Sequence, residues 1–85
     1  MKTYVVFLPM LDAEKSKLHR PEHLAYLEEQ AAQGHIFAKG PFVDGSGGMV
    51  IYKAKSMEDV EMRVKNDPYV QTGARSYEIR EWAMN

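Results

Sequence analysis

The sequence predicts an α+β fold: a ferredoxin-like antiparallel sheet with two helices on one face, in the order βαββαβ. Four short runs are rich in β-branched and aromatic residues, and two segments carry apolar residues at helical spacing. A glycine cluster separates the second and third runs and indicates a hairpin. The 85 residues, 1–85, predict a single domain with one core.

The first strand is predicted over residues 3–8 (TYVVFL), a β-branched and aromatic run that Pro9 ends. Residues 10–19 are mostly polar and charged, which predicts a connecting loop.

The first helix is predicted over residues 21–33. Leu24 and Leu27, with nearby alanines, recur at helical spacing. Pro21 is tolerated in a first turn, and Gly34 is a typical residue just after a helix end.

A hairpin is predicted to follow. Its strands are residues 35–43 and 49–53, and the turn is the cluster DGSGG at residues 44–48. The dipeptide Gly40-Pro41 indicates an edge position or a bulge in the first of these strands.

The second helix begins after Ser56, a capping residue followed by acidic residues, and is predicted to end at about Lys65. Residues 66–68 (NDP) break it. The alternating segment 75–82 predicts a fourth strand that completes the sheet.

Both faces of the first strand are apolar, with Tyr4, Val6 and Leu8 on one side and Val5 and Phe7 on the other. The third strand shows nearly the same pattern. Helices can cover one face only, so the other requires a second apolar surface. We therefore predict a homodimer through the sheet faces, which would enclose a cleft for a small-molecule ligand.

Composition excludes several classes of function. The absence of cysteine excludes disulfides, thiolate metal sites and a thiol nucleophile. A net charge of −1 with mixed signs gives no basic surface for nucleic acid and no polybasic patch for a membrane. The chain has no long apolar run and no signal-peptide pattern, so we expect a cytoplasmic protein.

His23 and Asp67 are the candidate catalytic pair. His23 is predicted in the first turn of the first helix, where the partial positive charge of the helix start favours a neutral imidazole. Asp67 is predicted to end the second helix on the same face of the sheet, where its carboxylate could orient the ring. The alternatives are a solvated histidine and an ordinary Asp-Pro turn.

A metal site is disfavoured. His19 and His23 have the four-residue spacing of two ligands on a helix, but no third ligand has suitable spacing, and zinc needs at least three protein ligands. We therefore expect no metal and no organic cofactor.

Other polar and aromatic residues are candidates for substrate binding. Arg20 and Arg75 could bind an anionic group, and Ser46 or Tyr69 could donate a hydrogen bond. Tyr69 and Phe42 could line an aromatic pocket, although packing is the simpler role for both of them. The turn around Ser46 lacks the lysine and the following helix of a phosphate loop.

Several short motifs together resemble the YciI-like (YCII-related) family across nearly the whole chain. They are Arg20-x-x-His23-Leu24-x-x-Leu27, Gly34, Gly40-Pro41, the glycine turn, Asp67-Pro68-Tyr69 and the closing segment 78–82 (EIREW). The resemblance implies a dimeric α/β barrel and an active site on His23 and Asp67. A related domain removes chloride from a chlorinated hydroxyhydroquinone, which implies cofactor-free elimination as a precedent.

The leading hypothesis is a cofactor-free enzyme that uses the His-Asp dyad for general acid/base chemistry of the lyase or isomerase type. Its substrate would be small and hydroxylated, cyclic or anionic, and Arg20 would steer an anionic group. A second hypothesis is a non-catalytic ligand-binding or sensor module. A third is a cofactor-free monooxygenase, which would need a larger apolar cavity.

Overall fold

The structure is a computed structural model that describes residues 1–84. Along the chain it contains β1 (Lys2–Pro9), α1 (Ala13–Ala32), β2 (Ile36–Pro41), β3 (Gly47–Ala54), α2 (Met57–Lys65), α3 (Pro68–Gln71) and β4 (Glu78–Glu81). The strands form one antiparallel sheet in the order β2-β3-β1-β4. The predicted α+β, ferredoxin-like fold is confirmed, with α3 as an addition between α2 and β4.

The hydrophobic core lies between one face of the sheet and the helices. Alternate residues of β1 and β3 point into it, as the period of two in a strand requires. The buried cluster consists of Tyr4, Val6, Leu8, Leu27, Val50, Tyr52, Ala54, Val60 and Val64. Because α1 and α2 both contribute to this cluster, they lie on the same face, as predicted.

The predicted loop over residues 10–19 is wrong, because α1 begins at Ala13. The side chain of Asp12 caps the helix by accepting a hydrogen bond from the backbone N–H of Lys15 at 3.1 Å. Pro21 therefore lies inside the helix and not in its first turn. Its position is exposed, as is Lys17 four residues earlier, so water can satisfy the carbonyl that lacks an N–H partner.

The first half of α1 escaped prediction because its buried face is polar. The buried residues of the helix are Ser16, His23, Leu27 and Gln30, and only one of them is apolar. A search for apolar residues at helical spacing does not detect such a face. α1 has 20 residues, yet no helix within residues 1–84 is long and apolar enough to cross a membrane.

Two further expectations about helix ends are wrong. His23 lies in the middle of α1, so the helix-start argument for a neutral imidazole fails, since that effect is confined to the first turn. Asp67 does not end α2, which finishes at Lys65 with Asn66 as its cap; Asp67 instead caps α3. The structure also shortens the fourth strand to Glu78–Glu81.

No helix within residues 1–84 covers the second face of the sheet, which we call the open sheet face. Its apolar side chains are Val5, Phe7, Phe37, Phe42, Met49 and Ile51, of which Phe37 is 53% exposed. The rings of Phe7 and Phe42 stack on it with centroids 6.5 Å apart. β2 is an edge strand with a register shift between Ile36 and Ala38, so the predicted edge position is confirmed and the irregularity lies before Gly40.

The cap at Asp12 gives a test of the longer α1. Asp12→Ala should lower the free energy of unfolding by about 1 kcal/mol, because the N–H of Lys15 loses its acceptor. Asp12→Asn keeps an oxygen at the same place and should lower the free energy of unfolding by only about a few tenths of a kcal/mol. Urea denaturation of the three proteins provides the measurement. Equal stability of the wild type and Asp12→Ala would show that this cap does not support the helix.

Candidate functional site

The structure brings His23 and Asp67 into direct contact although 44 positions separate them. Nδ1 of His23 lies 2.8 Å from Oδ1 and 3.0 Å from Oδ2 of Asp67. Both residues are buried, with exposed fractions of 7% for His23 and 1% for Asp67. The predicted pair therefore exists as a hydrogen-bonded unit inside the protein.

Local chain geometry fixes the carboxylate of Asp67. It is the N-cap of α3, and its Oδ1 accepts a hydrogen bond from the backbone N–H of Tyr69 at 2.9 Å. Pro68 occupies the first position of α3, where a missing N–H costs nothing. From the sequence, a turn-forming role for Asp67 and a contact with His23 were alternatives. The structure shows that the same carboxylate caps α3 and contacts His23.

This contact determines which nitrogen of His23 can accept a proton. An ionised carboxylate only accepts hydrogen bonds, so the Nδ1 beside it carries the ring proton. In the neutral ring Nε2 is then the unprotonated nitrogen. Because His23 also lines a cavity, this nitrogen can serve as a base toward a ligand there.

Tyr69 supports the imidazole. Its ring stacks on that of His23, with centroids 3.8 Å apart and planes 13° from parallel. The guanidinium carbon of Arg75 lies 4.4 Å from the centroid of the same tyrosine ring. A single ring therefore contacts both the imidazole and a cation, in an arrangement typical of cation–π contacts.

The cavity beside the pair has a volume of about 160 Å³. α1 contributes Arg20, His23, Leu24 and Leu27, the sheet contributes Leu8, Lys39, Gly40, Pro41, Gly48, Met49 and Val50, and the segment after α2 contributes Tyr69 and Arg75. Three of these side chains are cationic and none is a carboxylate. The walls thus combine an apolar floor with positive charge.

The predicted binding residues are distributed unevenly. Arg20 and Tyr69 line the cavity, whereas Ser46 lies exposed in the β2–β3 hairpin and does not. Phe42, considered for an aromatic pocket, packs on the open sheet face. Their roles in binding stay predictions.

Sequence reasoning missed Lys39 in the cavity wall and Ser16 behind it. Lys39 lies on β2 and lines the cavity, and the hydroxyl of Ser16 lies 3.0 Å from Nη2 of Arg75. Asp12 could have indicated that Ser16 lies on a helix, because it is a strong capping residue and marks the true start of α1.

The histidine pair of α1 does not form a metal site with other ligands. His19 lies on the same helix as His23, but its Nδ1 is 3.5 Å from Glu22. Within residues 1–84, no group of three or more histidine, cysteine or acidic side chains is arranged to hold a metal ion.

Two tyrosines near Asp67 stay protonated. Burial, and secondarily the charge of Asp67, raises the pKa of Tyr52 and of Tyr26 above the usual tyrosine value. The hydroxyl of Tyr26 donates to the backbone carbonyl of Arg63 at 2.7 Å. These phenols are neutral packing groups beside the dyad at physiological pH.

A family model and a curated relative both match nearly the whole chain. Residues 2–83 match the model of the YCII-related domain. The uncharacterised protein YjpA of Bacillus subtilis (strain 168) is 30% identical over 84 residues, which cover 99% of this chain and 98% of YjpA.

A solved structure shares the fold. The 5-chloro-2-hydroxyhydroquinone dehydrochlorinase TftG of Burkholderia phenoliruptrix AC1100, in complex with 2,5-dihydroxybenzoquinone, superposes with a TM-score of 0.85. It is 23% identical, and the match covers 98% of this chain and 95% of that one.

The protonation of His23 can be tested directly by ¹⁵N NMR of the imidazole. We expect the neutral ring to carry its proton on Nδ1, because Asp67 accepts there. In Asp67→Ala that preference should disappear, while His19 should give the same signals in both proteins. A neutral wild-type ring protonated on Nε2 would contradict the geometry.

Proposed function

Since this chain belongs to the family of YCII-related domains, we propose that it is a small enzyme with a His-Asp dyad. His23 acts as general acid/base and Asp67 orients it. The reaction is of the lyase or isomerase type on a small hydroxylated cyclic or anionic substrate, and it uses no metal or organic cofactor.

The observation that carries this proposal is the buried contact of 2.8 Å between His23 and Asp67 at the edge of a cavity. The carboxylate fixes the ring and stabilises the imidazolium that forms when Nε2 takes a proton. An imidazole oriented in this way is the group that most often performs proton transfer near neutral pH.

Cavity size supports a substrate with one ring. Its volume of about 160 Å³ is close to that of an engineered cavity in another protein, about 150 Å³, that binds benzene. TftG, whose fold the chain shares, is named for a reaction on a hydroxyhydroquinone and holds a dihydroxybenzoquinone. We therefore place hydroxylated single rings first among candidate substrates.

The proposed elimination is redox-neutral. Nε2 of His23 removes a proton from the substrate, and the electron pair of the broken bond to hydrogen moves into the ring system to form a new π bond. The leaving group departs with its own bonding pair as an anion. His23 then releases the proton to solvent, or returns it to another ring atom in an isomerisation, in which no group leaves.

The monooxygenase hypothesis finds less support. It needs a larger apolar cavity, whereas this one is small and has Arg20, Lys39 and Arg75 in its walls. The hypothesis of a non-catalytic binding module predicts the same cavity and ligands but no turnover. Measurement of turnover and affinity in the wild type and in His23→Ala separates it from the enzyme.

We also propose that two copies pack through their open sheet faces. Phe37 is 53% and Phe42 36% exposed there, beside the half-buried Val5 and Phe7 of the central strand. Apolar side chains grouped in this way on one surface are typical of an interface. TftG is the precedent for the fold only, so the dimer rests on this surface.

Substitution of His23 tests the mechanism. His23→Ala should lower kcat by about 10²- to 10⁴-fold or more, because the proton acceptor is lost. The measurement is chloride release from 5-chloro-2-hydroxyhydroquinone, extended to the phenols and keto acids that raise the melting temperature of the wild type.

The matched control is His19→Ala, which removes a histidine of the same helix that does not line the cavity. Its activity should equal that of the wild type. Full turnover in His23→Ala would overturn the mechanism. Ligands that bind the wild type and never turn over, with His23→Ala changing affinity alone, would identify a binding module instead.

Val5→Lys tests the interface, because it puts a charge in the middle of the open sheet face. We expect sedimentation equilibrium to give a dimer for the wild type and a dissociation constant at least about 10-fold weaker for this variant. Leu18→Lys adds the same charge at a position of α1 that is 70% exposed, and it should leave the mass unchanged. A wild-type monomer at all concentrations would refute the dimer.

A further inference from the structure

The geometry points to Arg75 as the residue that selects ligands carrying an oxyanion, with Ser16 as the residue that positions it. We infer that the substrate binds in an ionised form, as a phenolate, enolate or carboxylate. This inference rests on the proposed function, since it concerns the same cavity, but it makes a separate claim about charge.

The guanidinium of Arg75 is held in place on several sides. Its Nε and Nη2 donate to the hydroxyl of Ser16 at 3.3 and 3.0 Å, and its Nη1 donates to the backbone carbonyl of Leu8 at 3.3 Å. Its guanidinium carbon lies over the ring of Tyr69, 4.4 Å from the centroid. A long side chain that is normally mobile is therefore fixed before any ligand arrives.

These contacts leave part of the guanidinium available. Arginine has five N–H donors, and the bonds to Ser16 and Leu8 occupy three of them. One donor on Nη1 and one on Nη2 remain. A pair of N–H groups on the two terminal nitrogens matches two oxygens of a carboxylate, or an oxygen and its neighbour on a ring.

The charge of Arg75 lacks a protein counter-ion. The residue is 8% exposed, and within residues 1–84 no carboxylate oxygen lies within 4.0 Å of its nitrogens. Its hydrogen bonds go to a neutral hydroxyl and a neutral carbonyl. A buried cation is costly unless an anion is paired with it, so a bound oxyanion supplies what the fold does not.

The other charges of the cavity agree with this assignment. Arg20 and Lys39 also line it, both at exposed positions where solvent screens them. The acidic group of the site, Asp67, is already engaged with His23 and Tyr69. Arg75 is thus the fixed, desolvated cation, and the two exposed ones contribute attraction at longer range.

The test compares two ligands of similar shape and different charge. The probes are 2,5-dihydroxybenzoquinone, which is ionised at neutral pH, and 2,5-dimethoxybenzoquinone, which is neutral. Titration of the wild type should show at least about 10-fold tighter binding of the ionised probe. Arg75→Gln should weaken binding of the ionised probe by about 10- to 100-fold and change that of the neutral probe by less than about 3-fold.

Three further variants separate position from charge. Ser16→Ala should reduce the preference for the ionised probe while the cation remains, and Ser16→Thr, which keeps a hydroxyl, should restore it. Arg20→Gln, the matched control for loss of one positive charge, should have a smaller effect that disappears at high salt, because this residue is exposed. Circular dichroism establishes that each variant is folded.

The outcomes distinguish this inference from the proposed function. Equal affinity of the wild type for the two probes, binding of neither, or unchanged preference in Arg75→Gln would overturn the role of Arg75, whatever the activity of His23→Ala. A preference that requires Arg75, in a protein without turnover, would support this role and refute the catalytic proposal. Should Arg75→Gln fail to fold, the wild-type ratio and the Ser16 variants decide the question.

Discussion

The carboxylate of Asp67 joins parts of the molecule that the sheet alone would not bring together. It is 1% exposed, and it accepts hydrogen bonds from the ring of His23 on α1 and from the backbone of Tyr69 at the start of α3. A carboxylate removed from water in this way is stable only when donors surround it. The packing of α1 against α3 and the orientation of the imidazole therefore have the same cause.

The ring of Tyr69 connects this carboxylate to the other side chains of the site. Tyr69, whose backbone Asp67 holds, stacks on His23 at 3.8 Å and lies 4.4 Å from the guanidinium carbon of Arg75. The imidazole that we propose as the proton-transfer group and the guanidinium that carries fixed charge share this support. Changes at the three positions are expected to be non-additive, because residues in contact rarely contribute independently.

Local sequence patterns predicted the architecture well where apolar residues carry the signal. The strands and α2 have β-branched runs or a capping serine, and each is present in the sheet order of a ferredoxin-like fold. The prediction failed for the first half of α1, because the buried residue there, Ser16, is polar. Residues 66–68 do end α2, as predicted, but the prediction missed that Asp67 followed by Pro68 also starts a new helix.

Prediction of the site had similar limits. The contact between His23 and Asp67 is long-range, so only the topology of the fold and the family motifs could suggest it. No local pattern marked Lys39, because a side chain acquires its role in a cavity only through what packs opposite it. The cap at Asp12 could have placed Ser16 on α1, but not beside Arg75.

The position of β2 at the edge of the sheet gives the cavity two unequal walls. One wall is built from α1, α3 and Arg75 and is tied by buried hydrogen bonds. The other consists of Lys39, Gly40 and Pro41 on a strand that pairs with β3 alone, and all three are exposed. An edge strand opens locally at a smaller free-energy cost than the core. We therefore expect a bound ligand to exchange on the side of β2, and we expect this wall to adapt more readily than the opposite one to different ring substituents.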